Sequence, residues 1–272
     1  MPSIKTTDGA ELFVKDWGTG RPFVLIHGWP LNADMWDHVA HELVEKGFRV
    51  VAYDRRGFGR SSQPGEGYDY DTLSDDLAAV IDGLSLSDVT LVGFSMGGGE
   101  VARYMSRHGG KGVARAALVS AVTPYLLKDD SNPDGVDGST FDGFVAELKK
   151  DRPGFLETFG KQFYGVGMLD WSVSSAYLEW TKQMALQASL RATIKCVDAF
   201  GRTDFRPDMK AFDVPTLVIH GTSDSTVPFD IAGKRAAAAI ARAELKSYDG
   251  APHGLHYTEQ DRLIEDLAAF AR

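Results

Sequence analysis

The sequence predicts an α/β protein with a mostly parallel central sheet and helices on both faces. Short apolar segments rich in β-branched residues recur along the chain, and segments with helical spacing of apolar residues lie between them. This alternation is interrupted once, between residues 123 and 206, and then resumes. Strands that alternate with helices are joined by right-handed crossovers, which favour a parallel sheet.

Most of the predicted strands are continuous apolar runs, as expected for strands that are buried on both faces of a sheet. They are preceded by a predicted hairpin of residues 4–7 and 11–17, which turns at Asp8-Gly9. The predicted buried strands are residues 23–26, 48–53, 89–92, 116–122, 214–219 and 244–248.

A helix is predicted where apolar side chains recur at three- and four-residue spacing. In the first such segment, Trp36, Val39, Leu43 and Val44 form one apolar stripe. The predicted helices of the core are residues 35–46, 73–84, 99–105, 231–241 and 259–271.

The interruption of the pattern predicts the domain organisation. Residues 123–206 contain helical patterns and polar loops but no predicted strand. We therefore expect an α/β core of residues 1–122 and 207–272, with residues 123–206 as a helical cap over the carboxyl edge of the sheet. A length of 272 residues is long for one compact domain and short for two, which favours a single core with an insertion.

The composition argues against several classes of partner. Lys and Arg total 29 against 38 Asp and Glu, which gives a formal net charge of −9. Nucleic acids and anionic membranes require a basic face, so we expect neither as a partner. Cys196 is the only cysteine, and the sequence begins with no signal-peptide pattern and has no apolar run of membrane-spanning length. These features predict a cytoplasmic protein without an internal disulfide.

Residues 90–100 carry the strongest chemical signal in the chain. A buried-strand pattern ends at Gly93-Phe94-Ser95-Met96-Gly97, and helical spacing follows. A Gly-x-Ser-x-Gly turn between a strand and a helix is typical of a nucleophile elbow, whose serine needs a strained backbone and whose small residues let strand and helix approach. The alternative is a glycine-rich turn without catalytic function, and the partner residues found downstream argue against it.

A serine hydroxyl reacts when a base removes its proton and a third group orients that base. In a strand–elbow–helix arrangement the acid and then the histidine follow the serine along the chain. His253 fits, because Gly250, Pro252 and Gly254 place it in a rigid turn after the last predicted strand. His256 is the alternative base, but its place near the final helix predicts a polar surface residue. A zinc site formed by both histidines is disfavoured, since no third ligand lies nearby at metal spacing.

The acid is expected at the end of a neighbouring strand. Asp224 lies in the loop after the predicted strand 214–219, whereas the loop after strand 116–122 offers no carboxylate. Asp230 is the alternative, but it is predicted to begin a helix, where an acidic residue is ordinary.

Two fixed N–H groups are needed to stabilise the oxyanion that forms when Ser95 attacks a carbonyl. One is the N–H of Met96, the residue after the nucleophile. The loop His27-Gly28-Trp29-Pro30 follows an earlier strand and is expected to supply the second donor from Trp29. His27 is predicted to be a structural hydrogen-bonding residue.

Residues 54–61 contain Gly57-x-Gly59, which could suggest a phosphate-binding loop. The stretch does not open a helix with a third glycine, so a turn is the better interpretation. We therefore interpret Arg55 and Arg56 as structural charges.

Seven short stretches share their pattern with a known family. They are residues 16–18, 27–31, 53–61, 67–71, 93–97, 204–208 and 251–254. On these motifs the chain resembles the α/β-hydrolase fold and, within it, the bacterial aryl esterases and cofactor-free haloperoxidases, also called perhydrolases. The resemblance extends nearly from end to end.

The resemblance implies a role for each candidate residue. Ser95, Asp224 and His253 would form a catalytic triad, and Trp29 and Met96 would donate the oxyanion hole. Members of this family need no metal, haem or flavin, so no cofactor is expected. Relatives often form homo-oligomers, although no interface can be identified from the sequence.

Pro30 has two interpretations. It has no N–H and restricts the preceding residue, so it would fix the direction of the Trp29 carbonyl beside the acyl-enzyme. The resemblance associates a proline there with efficient use of hydrogen peroxide, which that carbonyl would help to position. Alternatively, Pro30 only stiffens a turn.

The cap region is rich in aromatic residues. Phe155, Phe159 and Phe163 recur at four-residue spacing and share one helix face, where they either pack the cap on the core or line an apolar pocket over Ser95. By resemblance, the expected substrate-binding residues are Pro30, Tyr125, Phe144, Phe159, Phe163 and Val227.

Together these features predict a serine carboxylester hydrolase for small acyl or aryl esters. Hydrogen peroxide in place of water would give a peracid, which can oxidise halide. An amide or lactam hydrolase with the same triad is one alternative, and a non-catalytic receptor for a small ligand is another. A dehalogenase or epoxide hydrolase is disfavoured because those enzymes use a carboxylate nucleophile where this chain has Ser95.

Overall fold

The computed structural model describes residues 3–167 and 173–272, and eight strands within these ranges form one sheet. The strands are β1 Ser3–Lys5, β2 Glu11–Trp17, β3 Pro22–Ile26, β4 Arg49–Tyr53, β5 Val89–Phe94, β6 Val113–Val119, β7 Thr216–Gly221 and β8 Ala243–Tyr248. Their spatial order is β1-β2-β4-β3-β5-β6-β7-β8. β2 pairs antiparallel with β1 and β4, and all other pairs are parallel, which confirms the predicted fold class.

The helices cover the sheet on both sides, since β3 and β5 are buried along their whole length. The helices are α1 Asp37–Glu45, α2 Tyr70–Gly83, α3 Met96–Arg107, α4 Gly138–Phe163, α5 Ser175–Leu186, α6 Leu190–Arg202, α7 Gly233–Ala239, α8 Leu255–Thr258 and α9 Gln260–Ala271. Two 3₁₀ turns, Ala33–Trp36 and Asp208–Ala211, complete the described secondary structure. None of the described helices is both long and apolar enough to span a membrane.

Among the helix starts that differ from the predicted ones, two are set by polar side chains that cap them. α2 begins at Tyr70, three residues before the predicted start, since the Asp69 carboxylate accepts the N–H of Thr72. The predicted helix 35–46 begins instead as the 3₁₀ turn, where the Asn32 side chain accepts the N–H of Asp34. The capping residues precede the apolar stripe in the sequence, so the spacing of apolar residues alone does not locate the start of the helix.

Three helices, α4 to α6, lie between β6 and β7, where the sequence predicts the cap. The long helix α4 is broken at Asp151, whose φ is −153° and ψ is 82°. The Asp151 carboxylate accepts the N–H of Gly154, and Pro153 lies in the first turn of the second half, where its missing N–H costs no hydrogen bond. Two straight segments therefore replace one long helix and cover the pocket.

The strand predicted at residues 116–122 ends earlier than its apolar run. β6 stops at Val119, and Ser120 has a φ of +44°, which turns the chain out of the sheet. Val122 then donates its N–H to the Ser95 carbonyl at 3.2 Å. The Val122 side chain lines a pocket over Ser95, which is why the apolar run continues beyond the end of the strand.

Candidate active site

The nucleophile elbow has the strained geometry that its sequence predicts. Ser95 connects β5 to α3 with a φ of 53° and a ψ of −117°, a conformation that L-residues rarely adopt. A Cβ on Gly93 would lie 2.4 Å from the Gly97 oxygen, and a Cβ on Gly97 would lie 2.7 Å from the Ile26 oxygen. Both distances are shorter than real contacts, so the two glycines are required for strand and helix to approach.

The structure brings Ser95, His253 and Asp224 together. The Nε2 atom of His253 lies 2.9 Å from the Ser95 Oγ, and its Nδ1 atom lies 2.7 Å from the Asp224 Oδ2. Ionised Asp224 only accepts hydrogen bonds, so Nδ1 of the neutral imidazole carries the proton. Nε2 then has a free lone pair that faces the serine hydroxyl and can accept its proton.

Asp224 is nearly fully buried and is held by four donors. Its Oδ1 accepts the N–H groups of Thr226 and Val227, at 2.9 and 2.7 Å. Its Oδ2 faces His253 and the Nε2 of His220, which is 3.3 Å away. Burial would raise the pKa of Asp224, but its interactions with His253 and His220 hold that pKa well below the usual value. The carboxylate therefore stays ionised while it orients the base.

His220 is a second imidazole beside the acid, and the sequence did not single it out. The ring is completely buried, and its Nε2 also lies 2.8 Å from the Val227 carbonyl. A Cβ on Gly233 would lie 2.6 Å from its Nδ1, so α7 packs directly on the ring. His220 thus ties the acid to the loop that carries Val227.

The proposed oxyanion donors are Met96, which follows the nucleophile, and Trp29, which lines the pocket over it. Met96 is the first residue of α3, and the first N–H groups of a helix have no partner within the helix. The Trp29 side chain lines the same pocket as Ser95 and donates its Nε1–H to the Thr193 carbonyl at 3.0 Å. A Cβ on Gly28 would lie 2.6 Å from the Phe94 ring, so the glycine lets this loop approach the elbow.

A buried network of charged and polar side chains holds the start of the loop of residues 27–30 in place. The His27 Nε2 accepts the Arg55 N–H at 2.9 Å, and the Arg55 guanidinium donates to the His27 carbonyl at 2.6 Å. Arg55 is also paired with Glu100, which accepts the Tyr53 hydroxyl at 2.7 Å. Burial, together with the nearby Arg55 charge, lowers the pKa of His27 well below its usual value. His27 is therefore neutral and structural, as predicted.

Arg56 is the second structural charge in this stretch. Its guanidinium pairs with the carboxylate of Asp76 on α2, at 2.6 Å, and with Asp8, at 2.8 Å. Like Arg55, it is buried and paired with carboxylates of the chain itself, which agrees with the structural interpretation rather than with phosphate binding.

The pocket over Ser95 has an empty volume of about 450 Å³ and is mainly apolar. Its lining residues come from both core and cap: Trp29, Ser95, Val122, Leu126, Val136, Thr140, Phe141, Phe144, Phe159, Phe200, Thr226, Val227 and His253. Of the expected substrate-binding residues, Phe144, Phe159 and Val227 are among them.

The other three expected substrate-binding residues lie outside this lining. The Tyr125 hydroxyl donates to Asp129 at 2.7 Å, and Arg206 packs on its ring, so it faces a polar cluster. Phe163 packs edge-on against His253, with ring centroids 4.7 Å apart, and lines a neighbouring cavity. Pro30 lines that neighbouring cavity as well.

The structure corrects the prediction for His256. The sequence predicts a surface residue, but His256 is buried and packs against the rings of Trp36, Phe94 and Tyr164. Burial, with His253 beside it, lowers the pKa of His256 to about 3. α8 was not predicted, and it turns this side chain inward.

No group of three or more His, Cys, Asp or Glu side chains suited to a metal ion occurs in residues 3–167 and 173–272.

Several pocket residues were missed, two of them because their segment has no regular pattern. Leu126 and Val136 lie in the loop between β6 and α4, where neither the helical spacing of apolar residues nor the pattern of a strand applies. Phe200 lies on the strongly amphipathic helix α6, beside Val197 and Cys196, and packs on Trp29 with centroids 5.5 Å apart. The spacing of apolar residues along this helix could have identified Phe200 as a buried residue from the sequence.

Comparison with known proteins agrees with this geometry. The family model described as alpha/beta hydrolase fold matches residues 21–260. The chain belongs to the α/β-hydrolase family. It is 44% identical over 272 residues to the non-heme chloroperoxidase CPO-A1 of Kitasatospora aureofaciens, with 99% of each chain covered. It is 41% identical over 276 residues to the bifunctional esterase/perhydrolase DCH of Acinetobacter calcoaceticus, with 100% of each covered.

Solved structures of α/β-hydrolases superpose closely on the chain. A bromoperoxidase from Bacillus anthracis has a TM-score of 0.96 at 44% identity, covering 99% of this chain and 98% of that one. An esterase from Exiguobacterium antarcticum has a TM-score of 0.94 at 33% identity, with the same coverage. The chain is therefore a hydrolase-fold protein similar along its whole length both to esterases and to non-heme haloperoxidases.

Proposed function

We propose that the protein is a serine carboxylester hydrolase of the aryl esterase type that also forms peracids from hydrogen peroxide. The observation that carries this proposal is the 2.9 Å contact between the Ser95 Oγ and the His253 Nε2 at the base of an apolar pocket. A pocket lined by the rings of Phe144 and Phe159 suits small acyl groups and aryl or short alkyl esters.

In the first step His253 accepts the Ser95 proton while the Ser95 oxygen attacks the ester carbonyl. The N–H groups of Trp29 and Met96 stabilise the negative charge on the carbonyl oxygen. His253 then gives its proton to the leaving alcohol, the ester C–O bond breaks, and an acyl-Ser95 ester remains. Asp224 holds the Nδ1–H of His253 throughout, so that Nε2 is the atom that moves the proton.

In the second step water or hydrogen peroxide attacks the acyl-enzyme. His253 takes one proton from the nucleophile and returns it to the Ser95 oxygen as the acyl C–O bond breaks. Water yields the carboxylic acid, and hydrogen peroxide yields the peracid. The peracid then oxidises halide in solution, which accounts for a haloperoxidase activity such as the names of the relatives describe.

A burst experiment tests the first step. With p-nitrophenyl acetate, we expect a rapid release of p-nitrophenol equal to the enzyme concentration, followed by slower turnover. Ser95→Ala should remove the burst and reduce kcat by about 10⁵-fold or more. A non-catalytic receptor would show neither burst nor turnover in the unmodified protein.

Peracetic acid formation tests the second step. The unmodified protein should form peracetic acid from an acetate ester and hydrogen peroxide. In Pro30→Leu the ratio of peracid to hydrolysis product should fall if Pro30 positions the Trp29 carbonyl for peroxide. An unchanged ratio would leave Pro30 a structural role in its turn.

Two further expectations from the sequence are carried forward as proposals. We propose a reducing, cytoplasmic location, which is supported by a single buried Cys196 whose thiol pKa burial raises to about 12. We also propose a homo-oligomer by resemblance to the family. Cell fractionation and light scattering after size-exclusion chromatography would test them.

A further inference from the structure

A second cavity lies directly behind the wall of the substrate pocket. This inner cavity lies between the Pro30-Leu31 turn and the cap helices α4 and α5. Phe159 lines both the inner cavity and the substrate pocket. One aromatic side chain is therefore shared by the two spaces.

The inner cavity continues towards the protein surface. A cleft of about 640 Å³ between α4 and α5, which we call the outer cleft, shares Leu156, Gly160 and Lys182 with the inner cavity. Its other lining residues include the exposed side chains of Glu157 and Glu179. The outer cleft, the inner cavity and the substrate pocket thus follow one another from solvent to Ser95.

The inner cavity meets the catalytic groups from a side that the substrate pocket does not use. Pro30 lines it and directly follows Trp29, and Phe163 lines it and packs on His253. Tyr164 also lines it, and the buried hydroxyl of this residue has no hydrogen-bond partner in the part of the chain that the structure describes. An apolar cavity with such a hydroxyl suits a small neutral molecule with O–H groups.

We propose that the outer cleft and the inner cavity form a separate entry route for the small O–H nucleophile of the second step, water or hydrogen peroxide. The inference rests on the proposed function, since it concerns attack on the acyl-enzyme. After the first step the acyl group is bonded to Ser95 and occupies the substrate pocket. A nucleophile that enters from the inner cavity does not have to pass the acyl chain, and a rotation of the Phe159 ring connects the two spaces.

Gly160 provides a way to close this route without touching the substrate pocket. It lines the outer cleft and the inner cavity, and a Cβ placed on it meets no atom within 4 Å. Gly160→Leu therefore adds a side chain to open space where the two cavities meet. Gly143→Leu is the matched control, because Gly143 lies on the same helix α4, is exposed, and has the same open space around its Cβ position. Both changes replace a helical glycine by a better helix former.

The experiment compares the two steps in one assay with p-nitrophenyl acetate and varied hydrogen peroxide. In Gly160→Leu we expect an unchanged burst rate and a KM for peroxide in peracid formation that rises about fivefold or more, because the ester enters elsewhere. Gly143→Leu should match the unmodified protein in both. Gly160→Ala should give a smaller rise, and it keeps the test valid if the leucine variant does not fold.

Each remaining outcome decides the question. An unchanged KM for peroxide in folded Gly160→Leu would overturn the proposed route. A parallel loss of the burst and of the peroxide dependence would overturn it as well, because the ester and the nucleophile would then share one entrance. A slower turnover by water in the same variant supports the route for both nucleophiles, whereas a change with peroxide alone supports it for peroxide. Absence of both burst and turnover in the unmodified protein would instead refute the proposed function.

Discussion

The floor and the roof of the substrate pocket are held in place by different kinds of interaction. The floor consists of Ser95, Asp224 and His253 at the carboxyl edge of the sheet, each fixed by hydrogen bonds of 2.7 to 2.9 Å. The backbone also contributes, since the Ser95 N–H donates to the Val119 carbonyl at 2.9 Å. Every side-chain polar atom of the floor therefore has a defined partner.

The roof consists of Phe141, Phe144, Phe159 and Phe200 on the cap helices, and it is held by ring packing. Phe159 lies edge-on to Trp29 with centroids 5.3 Å apart, and Phe144 lies 5.8 Å from Phe159 in the same manner. Such pairs add about 0.5–1.5 kcal/mol each beyond the burial of their area, and they tolerate changes of shape. Hydrogen bonds that orient a proton do not tolerate a change of atom type. We therefore expect floor substitutions to remove the chemistry and roof substitutions to change its selectivity.

The largest expected effect comes from the floor, in Asp224→Asn. An amide at this position can donate to the Nδ1 of His253, which moves the imidazole proton to Nε2 and removes the lone pair that faces Ser95. We expect kcat for p-nitrophenyl acetate to fall by about 10⁴-fold. Asp230→Asn is the control, because that side chain is exposed and pairs with Lys234, and its kcat should equal that of the unmodified protein.

A smaller effect is expected from the roof, in Phe144→Ala. Removing this ring lengthens the pocket, so the ratio of kcat/KM for hexanoate over acetate esters should rise by about tenfold to a hundredfold. Phe155→Ala is the control, since the Phe155 ring packs on Phe144 at 5.4 Å but does not line the pocket. Equal shifts in both variants would mean that the cap as a whole, and not the ring at position 144, sets acyl selectivity.

The smallest effect on catalysis is expected from His256→Phe, because this buried residue packs on Phe94 and does not contact the proposed triad through hydrogen bonds. The expected change is in stability. The folded pKa of about 3 lies below the usual value of about 6.5, so the unfolded chain binds more protons between these values and the folded state loses stability as pH falls through that range. Phenylalanine removes this dependence.

The measurement is the free energy of unfolding at pH 7 and pH 5. When the pH is lowered from 7 to 5, protonation of His256 in the unfolded chain should reduce the free energy of unfolding of the unmodified protein by about 2 kcal/mol. The variant should not show this loss. The burst with p-nitrophenyl acetate at pH 7 should be nearly unchanged. An equal loss of stability in both proteins would mean that His256 is hydrated in the folded state.

The sheet, the elbow and the two partners of Ser95 could be predicted because their signals are local. A parallel strand requires a buried apolar run, and a sharp turn requires glycines at fixed spacing, so Gly93 and Gly97 are visible in the sequence. Asp224 and His253 follow from the rule that parallel strands bring their carboxyl ends to one edge. The catalytic roles of these residues remain proposals that the experiments above test.

The remaining features depend on contacts between distant segments. The partner of Arg55 is Glu100 and that of Arg56 is Asp76, and no local pattern connects these pairs. His256 was predicted at the surface because a polar residue near a helix end is ordinary, whereas the short helix α8 buries it among aromatic rings. The roof was predicted only in part for the same reason, since Leu126 and Val136 reach the pocket from an irregular loop.

The order of the floor residues along the chain has a consequence for synthesis in the cell. The imidazole that faces Ser95 lies 158 residues further along the chain. A ribosome that has completed the nucleophile turn must still produce the cap, β7 and β8 before that imidazole exists. The nascent polypeptide therefore carries the Ser95 hydroxyl without a neighbouring imidazole for most of translation, and the proposed triad can assemble only after the last strand has been made.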